Sequence, residues 1–431
     1  MENPQQGLLI DWLTHQEPAG GEAWWQAVRE QGAPLSRRLI SGDYEVLFLW
    51  RDPQGSERTS SIRTVYMDVN SVTDHHSLDP ATMERWAGTD IWFWTARVPA
   101  HWRGAYQFIP CTRQQMPDWD LASGDRERQR NWWISLQPQA VGDPLNPLRA
   151  QMSQWGVRQS ALHMPEAPPQ PGWLAFDQGV DVWPAQVQQC DWRSERLGNQ
   201  RQIWLYTTAG QASRAMTDVP LVLLLDGRFW AQNMPIFSAL ESETRCGRLP
   251  PALYVLIDEI DGATRGQELP CNPEFWHAVM AELFPLIATY HPVTANPART
   301  IVAGQSYGGL AALYAGLHWP ERFGAVLSQS GSFWWPDFNL VRQLPDPIHG
   351  RLPGAGGWLT DYARRHPMSL PLKVWLEAGT REGEMISLSE TMCEALLHGI
   401  HDVSFRSFEG GHDRLCWRGG LIEGLSWLLR P

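Results

Sequence analysis

Gly304-Gln305-Ser306-Tyr307-Gly308 sets a serine between two glycines. The β-branched run Thr300-Ile301-Val302 leads in, and a small-residue helical pattern leads out. That is the strand–turn–helix setting of a nucleophile elbow, whose turn is tight enough to ask for glycine and lifts the hydroxyl clear of the backbone. The bland alternative is an ordinary strand-to-helix turn. A serine hydroxyl needs a base to become a useful nucleophile. Phe408-Glu-Gly-Gly-His412-Asp-Arg414 supplies one, in a loop between a strand pattern and the last helix, where the two glycines are expected to turn the chain tightly. The chain order is then serine, acid, histidine. The competing reading makes His412 a loop residue, with Asp413 as the natural cap of the next helix.

The acid is expected in Lys373-Val-Trp-Leu-Glu377 and the loop after it, through Arg381, Glu382 and Glu384. Glu382 is the first choice and Glu384 the second. Glu377, on or at the end of the strand, reads as a structural hydrogen-bonding group. A Ser–His dyad with no carboxylate remains the alternative. An oxyanion hole would use the amide after the nucleophile, Tyr307, and one from an earlier loop. Leu223-Leu-Leu-Asp226-Gly227-Arg228 fits the second requirement through the Arg228 amide, with Asp226 bracing the loop.

These groups need a frame. To about Pro165 the pattern is one of short strands, including 43–50, 61–69, 90–98 and 103–109, parted by turn residues. That spacing predicts a β-sandwich. A short amphipathic helix over 22–30 precedes it. Residues 166–185 carry Pro168, Pro169, Pro171 and Pro184, a density that breaks helices and ladders and predicts a linker lying along the surface. From 186 to 431, continuous apolar strands alternate with helices, among them a helix over 272–289. A mostly parallel sheet covered on both faces follows, of the α/β-hydrolase type. The expected domains are therefore 1–165, a linker over 166–185, and 186–431.

Of 431 residues, 43% are hydrophobic and 19% charged, an ordinary balance for a globular protein. The start, Met1-Glu2-Asn3-Pro4, has no basic n-region, so no signal peptide is expected. No apolar run approaches the length of a membrane span. Six scattered cysteines predict free thiols in a reducing compartment. A net charge of -12 argues against nucleic acid or an anionic membrane as partner. Lys373 is the only lysine, so positive charge is arginine, whose planar fork suits anionic oxygens. Among 25 tryptophans, the adjacent pairs Trp24-Trp25, Trp132-Trp133 and Trp334-Trp335 are expected not all to face inward, leaving some for flat aromatic ligands. Asp74-His75-His76 and His398-x-x-His401 read as solvated polar residues, so no metal site is expected.

Several motifs together resemble the bacterial enterochelin (enterobactin) esterases. They are Leu224-Leu-Asp-Gly-Arg-Phe-Trp-Ala-Gln-Asn-Met-Pro235, Tyr254-Val-Leu-Ile-Asp-Glu-Ile-Asp261, Glu268-Leu-Pro-Cys-Asn272, Val302-Ala-Gly-Gln-Ser-Tyr-Gly-Gly-Leu310, Leu327-Ser-Gln-Ser-Gly-Ser-Phe-Trp-Trp335 and Gly410-Gly-His-Asp-Arg-Leu-Cys-Trp-Arg-Gly-Gly420. In the first half, Trp50-Arg-Asp-Pro-Gln-Gly-Ser56, Val72-Thr-Asp-His-His76 and Trp102-Arg-Gly-Ala-Tyr-Gln-Phe-Ile-Pro110 are similar to that family's N-terminal domain. The resemblance implies a cytoplasmic serine esterase that opens the trilactone of a ferric catecholate siderophore to dihydroxybenzoylserine units. Iron enters as part of the substrate, and no cofactor is needed. Ser306 and His412 match the family's nucleophile and base, and Glu382 a glutamate of its Gly-x-Arg-Glu segment. A proline expected soon after that glutamate is missing here. A trianionic substrate with flat catechol rings would suit walls of arginine and tryptophan. The candidates are Arg228 and Arg381 for charge and Trp230 and Trp334 for stacking. The competing functions are an esterase of polysaccharide aromatic esters and a non-catalytic siderophore-binding or iron-delivery protein.

Overall fold

The computed structural model describes residues 18–430 apart from 75–76, 118, 120–123, 154–155, 181–185, 210–217, 343–345 and 347. Contacts divide the chain into two compact units. The first comprises Met1–Pro169, Asp177–Val180 and Glu409–Leu415; the second comprises Gln170–Phe176, Asp181–Phe408 and Cys416–Pro431.

The first unit holds two four-stranded antiparallel sheets. One has the order β1 (Leu35–Arg38), β2 (Tyr44–Arg51), β5 (Ile91–Val98), β4 (Glu84–Arg85); the other β3 (Ile62–Val69), β6 (Arg103–Thr112), β8 (Arg158–His163), β7 (Gln151–Met152). Val46, Phe48 and Trp50 from β2 meet Val65, Met67, Tyr106 and Phe108 from the other sheet in one core. The alternate residues of β2, Leu47 and Leu49, pack with Trp24, Trp25 and Val28 of helix α1 (Glu22–Gln31). Both faces of β2 are thus buried, which explains why its hydrophobic alternation is imperfect.

The three tryptophan pairs were expected not all to face inward, and two of the three do. Trp24 and Trp25 meet edge to face at 4.7 Å, and the Trp25 indole N–H donates to Asp90 Oδ1 at 3.0 Å. Trp132 and Trp133 are buried against Tyr66. Neighbouring helical residues can both face inward where the apolar face is wide, and an indole N–H tolerates burial once it has an acceptor. Of the three pairs, Trp334–Trp335 is the half-buried one.

Within the proline-rich stretch, Pro171–Trp173 and Leu174–Asp177 form short helical turns. Trp173 is 1% exposed, its indole donating to the Arg418 carbonyl at 3.1 Å.

The second unit is built on an eight-stranded sheet in the order β16 (Asp402–Phe408), β15 (Lys373–Gly379), β14 (Ala325–Gln329), β13 (Thr300–Gln305), β11 (Leu221–Leu224), β12 (Leu253–Ile257), β10 (Asn199–Thr207), β9 (Gln188–Ser194). Strands β11 to β16 are parallel, and β10 and β9 run antiparallel at one side. The expected α/β-hydrolase architecture after an N-terminal β-sheet domain is the one found. Its inner strands are buried on both faces, which is why they read as unbroken apolar runs. The helix expected over 272–289 is continuous except for a wide turn at Val279–Leu283. Two features place the site. The C-terminal ends of β11, β13, β14 and β15 lie along one edge, and parallel register aligns Gln305 with Gln329 and Gln329 with Glu377.

Helix α3 (Tyr307–His318; α2 is Gly262–Glu268) leaves β13 and is buried from Gly308 to Leu317. It seats closely: a Cβ on Gly316 would lie 2.6 Å from Val326 Cγ2. Gly316→Val should therefore overpack the interface with β14 and cost roughly 1–3 kcal/mol. The check is a lowered denaturant midpoint followed by tryptophan fluorescence.

Candidate active site

Ser306 is the residue between β13 and α3, and its backbone is left-handed, with φ 58° and ψ -121°. A non-glycine residue held there costs on the order of 1–3 kcal/mol, so its surroundings must impose it. They do so through the Ser306 N–H on the Gln329 carbonyl at 3.0 Å and the Ser306 carbonyl receiving N–H groups of Leu310 at 3.0 Å and Ser332 at 3.1 Å. The glycines around it act differently from each other. A Cβ on Gly304 would reach within 2.4 Å of the Gly308 backbone, whereas one on Gly308 would meet only ordinary contacts from 3.5 Å.

The half-buried Ser306 hydroxyl lies 3.4 Å from the Ser332 hydroxyl. Beside it, the Tyr307 ring is 5.6 Å from Trp334, and Trp334 is 4.7 Å from Phe338, which is 46% exposed. Three aromatic rings thus form a ledge next to the candidate serine. Trp334 was expected there; Tyr307's ring, Phe338 and Ser332 were not, although Ser332 lies in the same Ser-Gln-Ser-Gly-Ser-Phe-Trp-Trp run.

Trp230, expected as a stacking wall, is corrected by the structure. It is 1% exposed, packs on Trp173 and Phe229, and donates its indole N–H to Gln305 Oε1 at 3.1 Å. It supports the strand end from below and presents no face to a ligand. The hydrogen bonds continue from Gln305 Nε2 to Gln329 Oε1 at 2.9 Å, and from Gln329 Nε2 to the Trp417 carbonyl at 2.8 Å and Glu377 Oε1 at 3.4 Å.

The two expected oxyanion amides come from different segments. Tyr307 opens α3, where helix amides have no partner within the helix. Arg228 follows Asp226, whose φ is 55°, and Gly227, where a Cβ would lie 2.5 Å from Ile257 backbone atoms. The Arg228 amide donates to Glu259 Oε2 at 3.3 Å. Burial, and then the charge of Asp226, raise the Glu259 carboxyl above its ordinary range. The Arg228 guanidinium is 44% exposed and holds Asp258 Oδ2 at 2.8 Å. Asp226 braces its loop, as expected, by accepting both arms of Arg265.

Of the three carboxylates, Glu382 is buried in the turn after β15. Its Oε1 accepts from the Ser330 hydroxyl and the Gly379 N–H, both at 2.7 Å, while the Trp417 indole donates to Ser330 Oγ at 2.9 Å. Arg381 is half-buried beside it, and Glu384 begins helix α4 (Glu384–Leu397). Glu377 lies inside the sheet, its Oε2 accepting from the Trp375 indole at 3.3 Å.

His412 sits in the short Glu409–Leu415 segment that precedes most of helix α5 (Arg414–Leu428) and groups with the first unit. Asn70 Nδ2 donates to the His412 carbonyl at 3.3 Å, and the Ala105 N–H to Asp413 Oδ2 at 2.6 Å. Asp413 Oδ1 caps the helix through the Leu415 N–H at 2.9 Å. Gly411 was read as a turn residue; what requires glycine is a close approach, since a Cβ there would lie 2.3 Å from Asn70 Oδ1.

Among the described residues no group of three His, Cys, Asp or Glu side chains is placed to hold a metal ion. His75 and His76 lie outside the described residues. His401 Nδ1 accepts the Leu372 N–H at 3.1 Å, and burial lowers its pKa. No helix among the described residues is long and apolar enough to cross a membrane.

Comparison with known proteins agrees along the whole chain. Residues 45–173 match the family model described as enterochelin esterase, N-terminal, and residues 194–428 the one described as putative esterase. The chain is 49% identical to the iron(III) enterobactin esterase of Dickeya dadantii, over 100% of this chain and 98% of that protein. It is 46% identical to the protein of the same name from Escherichia coli, over 96% and 97%. The crystal structure of the Shigella flexneri enterobactin esterase in the presence of enterobactin superposes with a TM-score of 0.80 at 44% identity, covering 96% of this chain and 99% of that one. The ferric enterobactin esterase of Salmonella typhimurium gives 0.82 at 44% identity, covering 95% and 98%.

One carboxyl makes the site's support sensitive to pH. Burial pushes Glu377 from the ordinary 4.5 to about 7. Below about 4.5 both folded and unfolded chains hold the proton and nothing is lost. Between about 4.5 and about 7 the unfolded chain ionises first, so stability falls as pH rises, by on the order of 3 kcal/mol in all. Glu377→Gln should flatten this slope: denaturant midpoints at pH 5 and pH 8 should lie closer together than in the parent.

Proposed function

The chain belongs to the enterochelin esterase family, and from that premise we propose that it hydrolyses the ester bonds of the enterobactin trilactone, in the ferric complex, to 2,3-dihydroxybenzoylserine units. The observation that carries this reading to particular residues is the strained Ser306, held on an elbow beside an aromatic ledge.

Ser306 Oγ attacks a lactone carbonyl carbon while His412 takes its proton. The carbonyl oxygen becomes an oxyanion received by the amides of Tyr307 and Arg228, the substrate oxygen replacing the Glu259 carboxylate at Arg228. Collapse breaks the bond to the ester oxygen, which leaves as the hydroxyl of the neighbouring serine unit with the proton from His412. The product of this half is a ring-opened acyl-enzyme. Water, losing its proton to His412, then attacks the acyl carbon, and the same oxyanion geometry returns Ser306 and frees a carboxylate. Three ester bonds consume three waters in this way. Glu382 is proposed as the carboxylate that orients His412; its buried position and the two donors already fixing Oε1 support a rigid side chain.

Tyr307, Trp334 and Phe338 offer the faces on which flat catechol rings stack, and Arg228 and Arg381 the positive charge for the anionic complex. Iron arrives and leaves with the substrate, as cargo. The compartment proposed for the reaction is the cytoplasm, where siderophore opening would release iron for use.

Purified protein incubated with ferric and iron-free enterobactin should yield linear trimer, then dimer and monomer, by chromatography. Intact trilactone with binding retained would make the protein a binder. Ser306→Ala should lower turnover by roughly 10⁴–10⁶. Replacing Glu382 and Glu384 separately by alanine should cost activity only at Glu382. Equal activity in both variants would leave a Ser–His dyad.

A further inference from the structure

We infer that Arg265 is a positioning residue that holds the two oxyanion-donor segments in register. The inference rests on the reading of Ser306 as nucleophile with the Tyr307 and Arg228 amides as donors.

Arg265 projects from α2, a helix that follows β12 and supplies none of the groups assigned to the reaction. Its guanidinium makes three bonds to two separate segments. Nε and Nη2 donate to Asp226 Oδ1 and Oδ2 at 2.5 and 2.7 Å, and Nη2 donates again to the Gln305 carbonyl at 3.2 Å. The same group lies 5.8 Å from the Tyr307 ring centroid. Asp226 stands two residues before the Arg228 amide, and Gln305 two before the Tyr307 amide. One rigid planar cation therefore spans the roots of both donors.

Both segments also carry strain at the residues concerned, Asp226 with φ 55° and Ser306 with φ 58°. A left-handed residue returns to ordinary backbone unless something opposes it. Rotating the Asp226 loop would break the bidentate pair, and rotating the peptide after Gln305 would break the third bond. Planar geometry matters as much as charge here. Lysine's ammonium is a point charge whose donors do not form the fixed fork that this pair of acceptors needs.

Charge adds a second effect. The Asp226 carboxylate lies against the first turn of α3, with Oδ2 3.5 Å from where a Cβ on Gly308 would be. Paired with Arg265 it is neutralised. Unpaired, it would set a negative charge near the place where the reaction develops one, opposing the state that the amides stabilise. Loss of Arg265 would thus misplace the donors and repel the oxyanion, and neither effect depends on the charge of the substrate.

That independence is the test. Steady-state kinetics of Arg265→Met and Arg265→Lys are measured on a neutral ester, p-nitrophenyl butyrate, and on ferric enterobactin. A fluorophosphonate titration of Ser306 expresses kcat per competent site. Arg265→Met should lose roughly 10²-fold in kcat on both substrates, and Arg265→Lys about tenfold, with KM shifted no more than about threefold. Adding Asp226→Asn to Arg265→Met should restore part of the kcat by removing the unpaired charge. A loss confined to ferric enterobactin and seen in KM would overturn the inference, making Arg265 a contact for the anionic substrate. So would unchanged kcat in both variants. If Arg265→Met does not fold, Arg265→Lys decides between these outcomes. Failure of the underlying reading looks different: Ser306→Ala would stay active and the fluorophosphonate would not label Ser306 in the parent.

Discussion

A side chain at position 304 would have nowhere to go, because the Gly308 backbone occupies the place where its Cβ would stand. That close approach lets β13 turn directly into α3, and the turn forces Ser306 into a left-handed backbone. The hydrogen bonds of Ser306 to Gln329, Leu310 and Ser332 then hold strand β14 and the segment after it in a set relation to the serine. The aromatic ledge, the Tyr307 amide and the Ser332 hydroxyl all take their places from that geometry.

Beneath the turn, support comes from polar groups buried together. Trp230, Gln305, Gln329, the Trp417 carbonyl and Glu377 form a connected run across three strands and the final helix. Buried amides and indoles are expensive when unpaired and orient strictly when paired. The result is a stiff floor under the serine, with Glu382 and Ser330 joined to it through Trp417. Arg265 ties in the remaining segment from the side. Backbone strain at Ser306, Asp226 and Ser330 is concentrated where these supports converge.

How much of this was legible depended on how far apart the interacting residues lie in the chain. The elbow was readable because a β-branched run, two glycines and a small-residue helix are contiguous. The alternation of apolar strands and helices announced a parallel sheet for the same reason. Trp230 was misread: its neighbours Trp173 and Gln305 are distant in the chain, and an indole looks alike whether it faces a crevice or a core. Arg265, among polar residues of a short helix, resembles a surface charge until Asp226 and Gln305 are placed beside it. Gly411 carried a visible turn signal, but its close approach to Asn70, distant in the chain, was not readable.

What the sequence by itself determined was the tight turn around Ser306, the loop of Asp226 and Gly227, and the alternation of strands and helices along the second half of the chain. Each follows from local backbone limits, where glycine, proline and branched residues leave few conformations. Tertiary structure alone decided which carboxylate is enclosed by which donors, which tryptophans face inward and what joins the Asp226 loop to Gln305. Parallel strands need long connections, so side chains that meet at one edge of the sheet come from residues tens of positions apart. Their hydrogen bonds exist only once the register aligning Gln305, Gln329 and Glu377 has formed.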